Sequence, residues 1–370
     1  MQAQRARIAA ALPRIDFRGG GRDALPVAAP VRPPAPSFPR LAVTRRRLLT
    51  VLQVLGSILV LVLLIRDAQW TEVWNALALV APGWLLAAMA VKAVAVGLRE
   101  LRLWVALLPW GRPPPLGRVV SIGLASGLVN NVVPARGGDL MGIALLIREC
   151  AVPATAALAA MGITSVVEAA VFGLYLLLLV VFEADRFEAL LGPAEVARAT
   201  SGLTALTVAV VFGSVVLVFL GRRLGRRAPG PVDGGPREWL RRALVDTGRG
   251  LGALAPLGLN AALSVAQVGC VVLSYRLLFP ALGLAPPLPL LAASLYLAVG
   301  SLAAIVLPPS LAAGSAATAV AVFASFGIGQ APALAFAALT WVTQMIPVAL
   351  LGIGPLWVRL GRLPVAGEAR

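Results

Sequence analysis

The chain has 370 residues, of which 59% are hydrophobic and 13% charged, and its formal net charge is +16. Apolar runs long enough to cross a bilayer exclude an ordinary soluble globule, and arginines gathered in tails and selected loops suit the positive-inside rule better than nucleic-acid binding. The sequence has no His, and its two cysteines, Cys150 and Cys270, are far apart, so no metal, cofactor or imidazole chemistry is expected.

Residues 1–44 are rich in Arg, Pro and Ala with no apolar period, and read as a disordered cytoplasmic tail. The first apolar segment starts too late, and lacks the small-residue cleavage site, for a signal peptide. Arg45, Arg46 and Arg47 anchor a first span at 48–65. Further full spans are predicted at 78–98, 155–182, 202–221, 253–279 and 333–357. Two broken apolar stretches, 119–147 and 287–329, read as re-entrant hairpins or pairs of spans. The fold class is therefore an all-α polytopic membrane protein, with about six full transmembrane helices and two broken hairpins.

Arg99, Arg102, Arg112 and Arg118 follow the second span, and Arg222 to Arg249 fill the loop 222–249. These positions place both termini and the 222–249 loop in the cytoplasm, with 183–200 outside. The first half, 45–190, then starts inside and the second, 191–358, starts outside, with a cytoplasmic tail at 359–370. That is the layout of an inverted-topology repeat. A weak echo agrees: Val133-Pro134 matches Leu307-Pro308, and Thr164 and Thr343 fall at the same offset from Pro153 and Pro332.

The first hairpin carries Asn130-Asn131-Val132-Val133-Pro134-Ala135-Arg136-Gly137-Gly138-Asp139, a polar stretch between apolar runs. Such groups at membrane depth are buried against protein or line a cavity, since lipid cannot hydrogen-bond them. Pro134 breaks a helix, and Asp139 would cap the next one, with free amides aimed at an anion. Arg136 offers a planar fork for a phosphate. The other reading of Arg136 and Asp139 is an ion pair that only closes the hairpin.

Glu168 lies mid-span in 155–182, where a carboxylate costs on the order of 3 kcal/mol and should face a partner or cavity. It is expected to titrate, pair with Arg136 or touch a head group. Lys92 and Arg276 are read as snorkelling to the interface, with Tyr275 as an interface residue. Gln267 and Gln344 are weaker buried polar candidates. The second hairpin holds Pro308-Pro309-Ser310 and Gly314 without charge, which suits tight helix packing more than ligand contact.

The run Asn131-Val132-Val133-Pro134-Ala135-Arg136-Gly137-Gly138-Asp139-Leu140 resembles the N-x-x-P-x-R-x-G-[ED] signature of the flippase-like transmembrane region of lysylphosphatidylglycerol synthases. Leu145-Leu146-Ile147-Arg148 and Val152-Pro153-Ala154-Thr155-Ala156 look like that family's next segment, and Glu168 falls where its Glu-Arg pair lies. Leu307-Pro308-Pro309-Ser310 through Gly314 is similar to its second motif. Gly142 and Ala169 stand where the family has arginines, and Ala312, Ala313 and Ala317 where it has glycines and an acidic residue. No soluble aminoacyl-transfer domain accompanies the membrane region, so the resemblance implies a stand-alone member and carries over no synthase activity.

The resemblance and the residues together imply an inner-membrane, multi-pass protein that binds or flips a lipid or lipid-linked substrate with an anionic head group. Its expected partners are membrane lipids, anionic or polyprenyl-linked. The alternative is a non-transporting scaffold or partner subunit for a lipid- or glycan-modifying enzyme. An enzyme is not expected, since only Glu168 and Asp139 would be available as acid or base.

Overall fold

A computed structural model describes residues 55–361, except 57, 64–65, 67, 112, 133–136, 183, 185–192, 227–234, 287–288 and 307–311. The tail read at 1–44 lies outside these residues. Of the expected first span, residues 55–56 and 58–63 are described, and they are helical.

Eleven α-helices follow among the described residues: α1 (Trp70–Ala78), α2 (Pro82–Leu107), α3 (Leu116–Val132), α4 (Gly137–Cys150), α5 (Ala154–Phe182), α6 (Pro193–Gly225), α7 (Gly235–Leu251), α8 (Leu254–Ala281), α9 (Pro289–Val306), α10 (Ala313–Ala324) and α11 (Gln330–Leu360). Among them, α5, residues 208–225 of α6, α8 and α11 are each long and apolar enough to cross a membrane. α1 and α2 meet that test as a pair bent by 85°. Pro82 opens α2, where its missing N–H is no loss. The protein is an all-α polytopic membrane protein.

The expected broken stretches are two helical pairs, α3–α4 and α9–α10. The same order, long helix, broken hairpin, long helix, runs through α2 to α5 and again through α8 to α11. The two halves meet along α2 and α8, the most extensive helix contact in the fold. α11 crosses to pack on α2 and α3, and α5 crosses to α8.

Two buried clusters fill these contacts. Ala106, Leu107, Val119, Ile122, Leu146, Ala156 and Ala160 join α2, α3, α4 and α5. Tyr275, Phe279, Tyr296, Phe323 and Phe336 join α8 to α11, with ring centroids 4.7–6.0 Å apart. Edge-on and tilted packing of this kind fills irregular space between helices.

Four expectations change. The second span does not end at 98: α2 runs to Leu107 and carries Arg99 and Arg102 within it. The 222–249 segment is not all loop, because α7 occupies 235–251 and packs on α6 and α5. Gly221 and Gly248 let the α6 and α7 backbones touch, since a Cβ on either would lie within 2.8 Å of the other helix's backbone. Lys92 does not snorkel: it is 9% exposed, with its Nζ 5.1 Å from the Tyr275 ring centroid. Tyr275 is accordingly a core residue, while Arg276 is exposed.

Candidate functional site

The polar residues of the first half converge on one stretch of α2. Arg99 and Arg102 are one turn apart and so share a side of the helix. Arg102 is 1% exposed. Its Nη1 donates to Glu168 Oε2 at 3.0 Å and to Gln267 Oε1 at 2.7 Å. Its Nη2 donates to the Thr164 carbonyl at 2.6 Å, and its Nε to Asn260 Oδ1 at 3.3 Å.

Helical spacing supplies these partners. Thr164 and Glu168 are four apart on α5, and Asn260 and Gln267 are seven apart on α8, so each pair lies on one face. The Asn260 amide returns a bond to the Arg102 carbonyl at 3.0 Å, and Gln267 Nε2 donates to Glu168 Oε1 at 3.4 Å. The network ties α2, α5 and α8 together with its members mutually bonded, the condition under which buried polar groups specify a core. The Glu168 side chain remains 46% exposed, so one end of the network is open.

A second cluster lies at the first hairpin. Asn130 Nδ2 donates to Asp139 Oδ1 at 2.6 Å, and the Asp139 amide donates to Asn130 Oδ1 at 3.1 Å. Asp139 therefore does not cap α4. It sits in the first turn, and Asn130, from the end of α3, takes one of the amides that the helix start leaves unpaired. Gly138 is buried against this joint: a Cβ there would overlap the Ser126 carbonyl and come within 2.7 Å of the Asn130 amide. Gly142 packs on Ser126 one turn later, where a Cβ would come within 2.7 Å of Oγ. These small residues bring α3 and α4 into backbone contact.

Arg99 reaches this hairpin from α2. Its Nη2 lies 3.7 Å from Asp139 Oδ1, its side chain is 44% exposed, and it makes no hydrogen bond among the described residues. Gly127 leaves room for it, since a Cβ there would stand 3.4 Å from Arg99 Nη1. Trp104 lies five residues further along α2, and its Nε1 donates to the Pro114 carbonyl at 3.0 Å. The guanidinium is thus about 8 Å of helix rise from an interface-type tryptophan.

Of the sequence candidates, Asn130, Gly138 and Asp139 meet at one place, and Asn131 and Gly314 are half-buried without a polar contact there. Pro134 and Arg136 lie outside the described residues, as do Pro308, Pro309 and Ser310. Glu168, expected to titrate, pair with Arg136 or touch a head group, pairs with Arg102. Arg99, Arg102 and Asn260 are site residues that the sequence hides, because two arginines after an apolar run look like the loop that ends a span. The signal was present in Leu101, Leu103, Trp104 and Val105, which continue the apolar helix beyond them. An open apolar groove of about 770 Å³ between α5 and α6, lined by Val180, Val181, Pro193 and Val208, contains none of these groups. Among the described residues no group of acidic or thiol side chains is arranged to hold a metal ion.

The family described as the lysylphosphatidylglycerol synthase TM region matches residues 50–352. No curated protein and no solved structure matches the chain. The match covers most of the sequence, and the chain belongs to this family.

Proposed function

For this member of the lysylphosphatidylglycerol synthase transmembrane family, we propose the binding, and movement across the bilayer, of a lipid or lipid-linked molecule with an anionic head group. The head group seats where α2 meets the α3–α4 hairpin. The observation that carries this reading is Arg99, a half-exposed guanidinium inside an apolar helix, held only by a 3.7 Å ion pair to Asp139 and using none of its hydrogen-bond donors among the described residues. A phosphate would use that fork. Arg102 differs, because its donors are committed within the fold. The reading is one of recognition and movement, with no bond made or broken.

The test is phosphatidylglycerol retention by the purified full chain, read by native mass spectrometry, followed by a fluorescent-lipid scrambling assay in vesicles. Arg99→Ala is expected to lose the retained lipid and the scrambling while melting close to the wild type, because an exposed long ion pair contributes about 1 kcal/mol or less. Full lipid retention by a stable Arg99→Ala protein removes the head-group assignment.

A further inference from the structure

Between the two arginines, Glu100 turns toward α3 and is only 3% exposed. It has no hydrogen bond and no ion pair among the described residues. Its carboxyl lies directly over Gly123, where a Cβ would overlap it, so the absence of a side chain at 123 creates its place. An ionised carboxylate without hydrogen bonds in such a place is expensive, whereas the neutral acid is far less so.

The charges around it are few. Arg99 on α2 and Asp139 on α4 act on it in opposite senses. α3 presents Gly123 and Gly127 on this side, and its own charge, Arg118, bonds the Glu149 carbonyl. Arg359 of α11 is bound to Glu149 and Ser121, and Glu168 of α5 is bound to Arg102. On α8, Arg276 is exposed and Tyr275 packs on Lys92. Among the described residues, Arg99, held only by its 3.7 Å pair to Asp139, is therefore the cation beside Glu100 that a ligand can claim.

We propose that Glu100 is a proton-binding site linked to head-group binding at Arg99. This rests on the function proposed above and names its co-bound ion. The single negative charge of a phosphodiester on Arg99 offsets the positive charge that favours ionised Glu100, so the anion and the proton bind together. Linkage makes the effect reciprocal: the proton on the Glu100 carboxyl strengthens phosphate binding, and release of the head group frees the proton to water. No third ligand is needed, and the lone carboxyl offers too few oxygens to hold a metal cation.

The experiment measures phosphatidylglycerol affinity of the full chain in nanodiscs from pH 5 to pH 9, alongside infrared spectra of the lipid-free protein. Wild-type affinity is expected to fall as pH rises, and Glu100→Gln to lose that dependence and hold the low-pH affinity. Glu100→Met, apolar and of similar length, gives the same reading if the amide fails to fold. The wild-type-minus-Glu100→Gln infrared difference should contain the carbonyl band of a protonated acid. Equal pH dependence in wild type and variant overturns the proposal, as does a pH-independent wild type that binds the lipid. If no phosphatidylglycerol binds at all, the head-group reading fails, and the infrared band alone decides the proton site: its absence refutes it.

Discussion

Arg102 and Arg99 show how differently two arginines one turn apart on the same helix can be used. Arg102→Met removes the centre of a network and leaves Gln267, Asn260 and Glu168 without their partner. The expected cost is on the order of 3 kcal/mol, the lower end for breaking a buried pair, because Glu168 is half open to its surroundings. Adding Glu168→Gln to Arg102→Met should restore part of the lost melting temperature, since it removes the stranded charge. A double variant that melts below the single one would contradict this account. At the hairpin, Asn130→Ala deletes both the amide acceptor and the Asp139 donor, and should lower stability by about 1 kcal/mol, as other lost helix caps do. Arg136 is outside the described residues, yet it sits three positions before Asp139 in the sequence. Arg136→Ala is expected to lose phosphatidylglycerol retention together with Arg99→Ala, and the two losses should not add if one phosphate engages both.

Among the helices, glycines decide which pairs approach. Gly138→Ala should force α3 and α4 apart, at about 1–3 kcal/mol, because its Cβ would meet backbone rather than a movable side chain. Gly162→Ala, on the open face of α5, meets nothing within 4 Å and should be neutral or stabilising by up to about 1 kcal/mol. Melting curves of the two variants compare these directly. The start of α7 is held differently. Arg241 donates to both Glu238 carboxylate oxygens at 2.8 Å and Arg242 to one at 3.1 Å. The hydrogen bonds from Arg241, aided by Arg242, hold the Glu238 carboxyl down at about 2 against its ordinary 4.5. A lowered value means the folded state prefers the ionised form. The stabilising contribution is therefore complete above about 4.5 and disappears as the pH falls toward 2. The difference in melting temperature between wild type and Glu238→Gln should shrink over that interval, and a gap that stays constant from pH 6 to pH 2 would refute it.

For the molecule as a whole, the arginine distribution predicts an orientation that is open to direct measurement. A cysteine at position 186, between α5 and α6, is expected to react with an impermeant reagent in intact cells, in a chain whose native Cys150 and Cys270 are replaced. A cysteine replacing the exposed Trp239 of α7 is expected to react only after lysis. The reverse pattern would place both termini outside, and reaction of both positions on the same side would remove the inverted-repeat layout. The repeated helix order fits that layout, but the two halves differ in their polar contacts. The Thr164 hydroxyl donates to the Met161 carbonyl at 2.8 Å and its own carbonyl accepts from Arg102, whereas Thr343 is fully buried and its hydroxyl has no partner among the described residues. Composition and periodicity were enough to determine the membrane class, the long helices and the two broken hairpins, because each depends on local apolar length and on Pro and Gly breaks. The polar stretch Asn130 to Asp139 was legible for the same reason, as an expense within an apolar run. Only the tertiary structure decided who pairs with whom: that Arg102 on α2 meets Glu168 on α5 and Asn260 and Gln267 on α8, that Arg99 reaches Asp139, and that Glu100 rests on Gly123. These partners are separated by tens to more than a hundred residues, and helix packing brings them together. In a span, an arginine reads as an ending until a neighbouring helix supplies the acceptors that make it a centre.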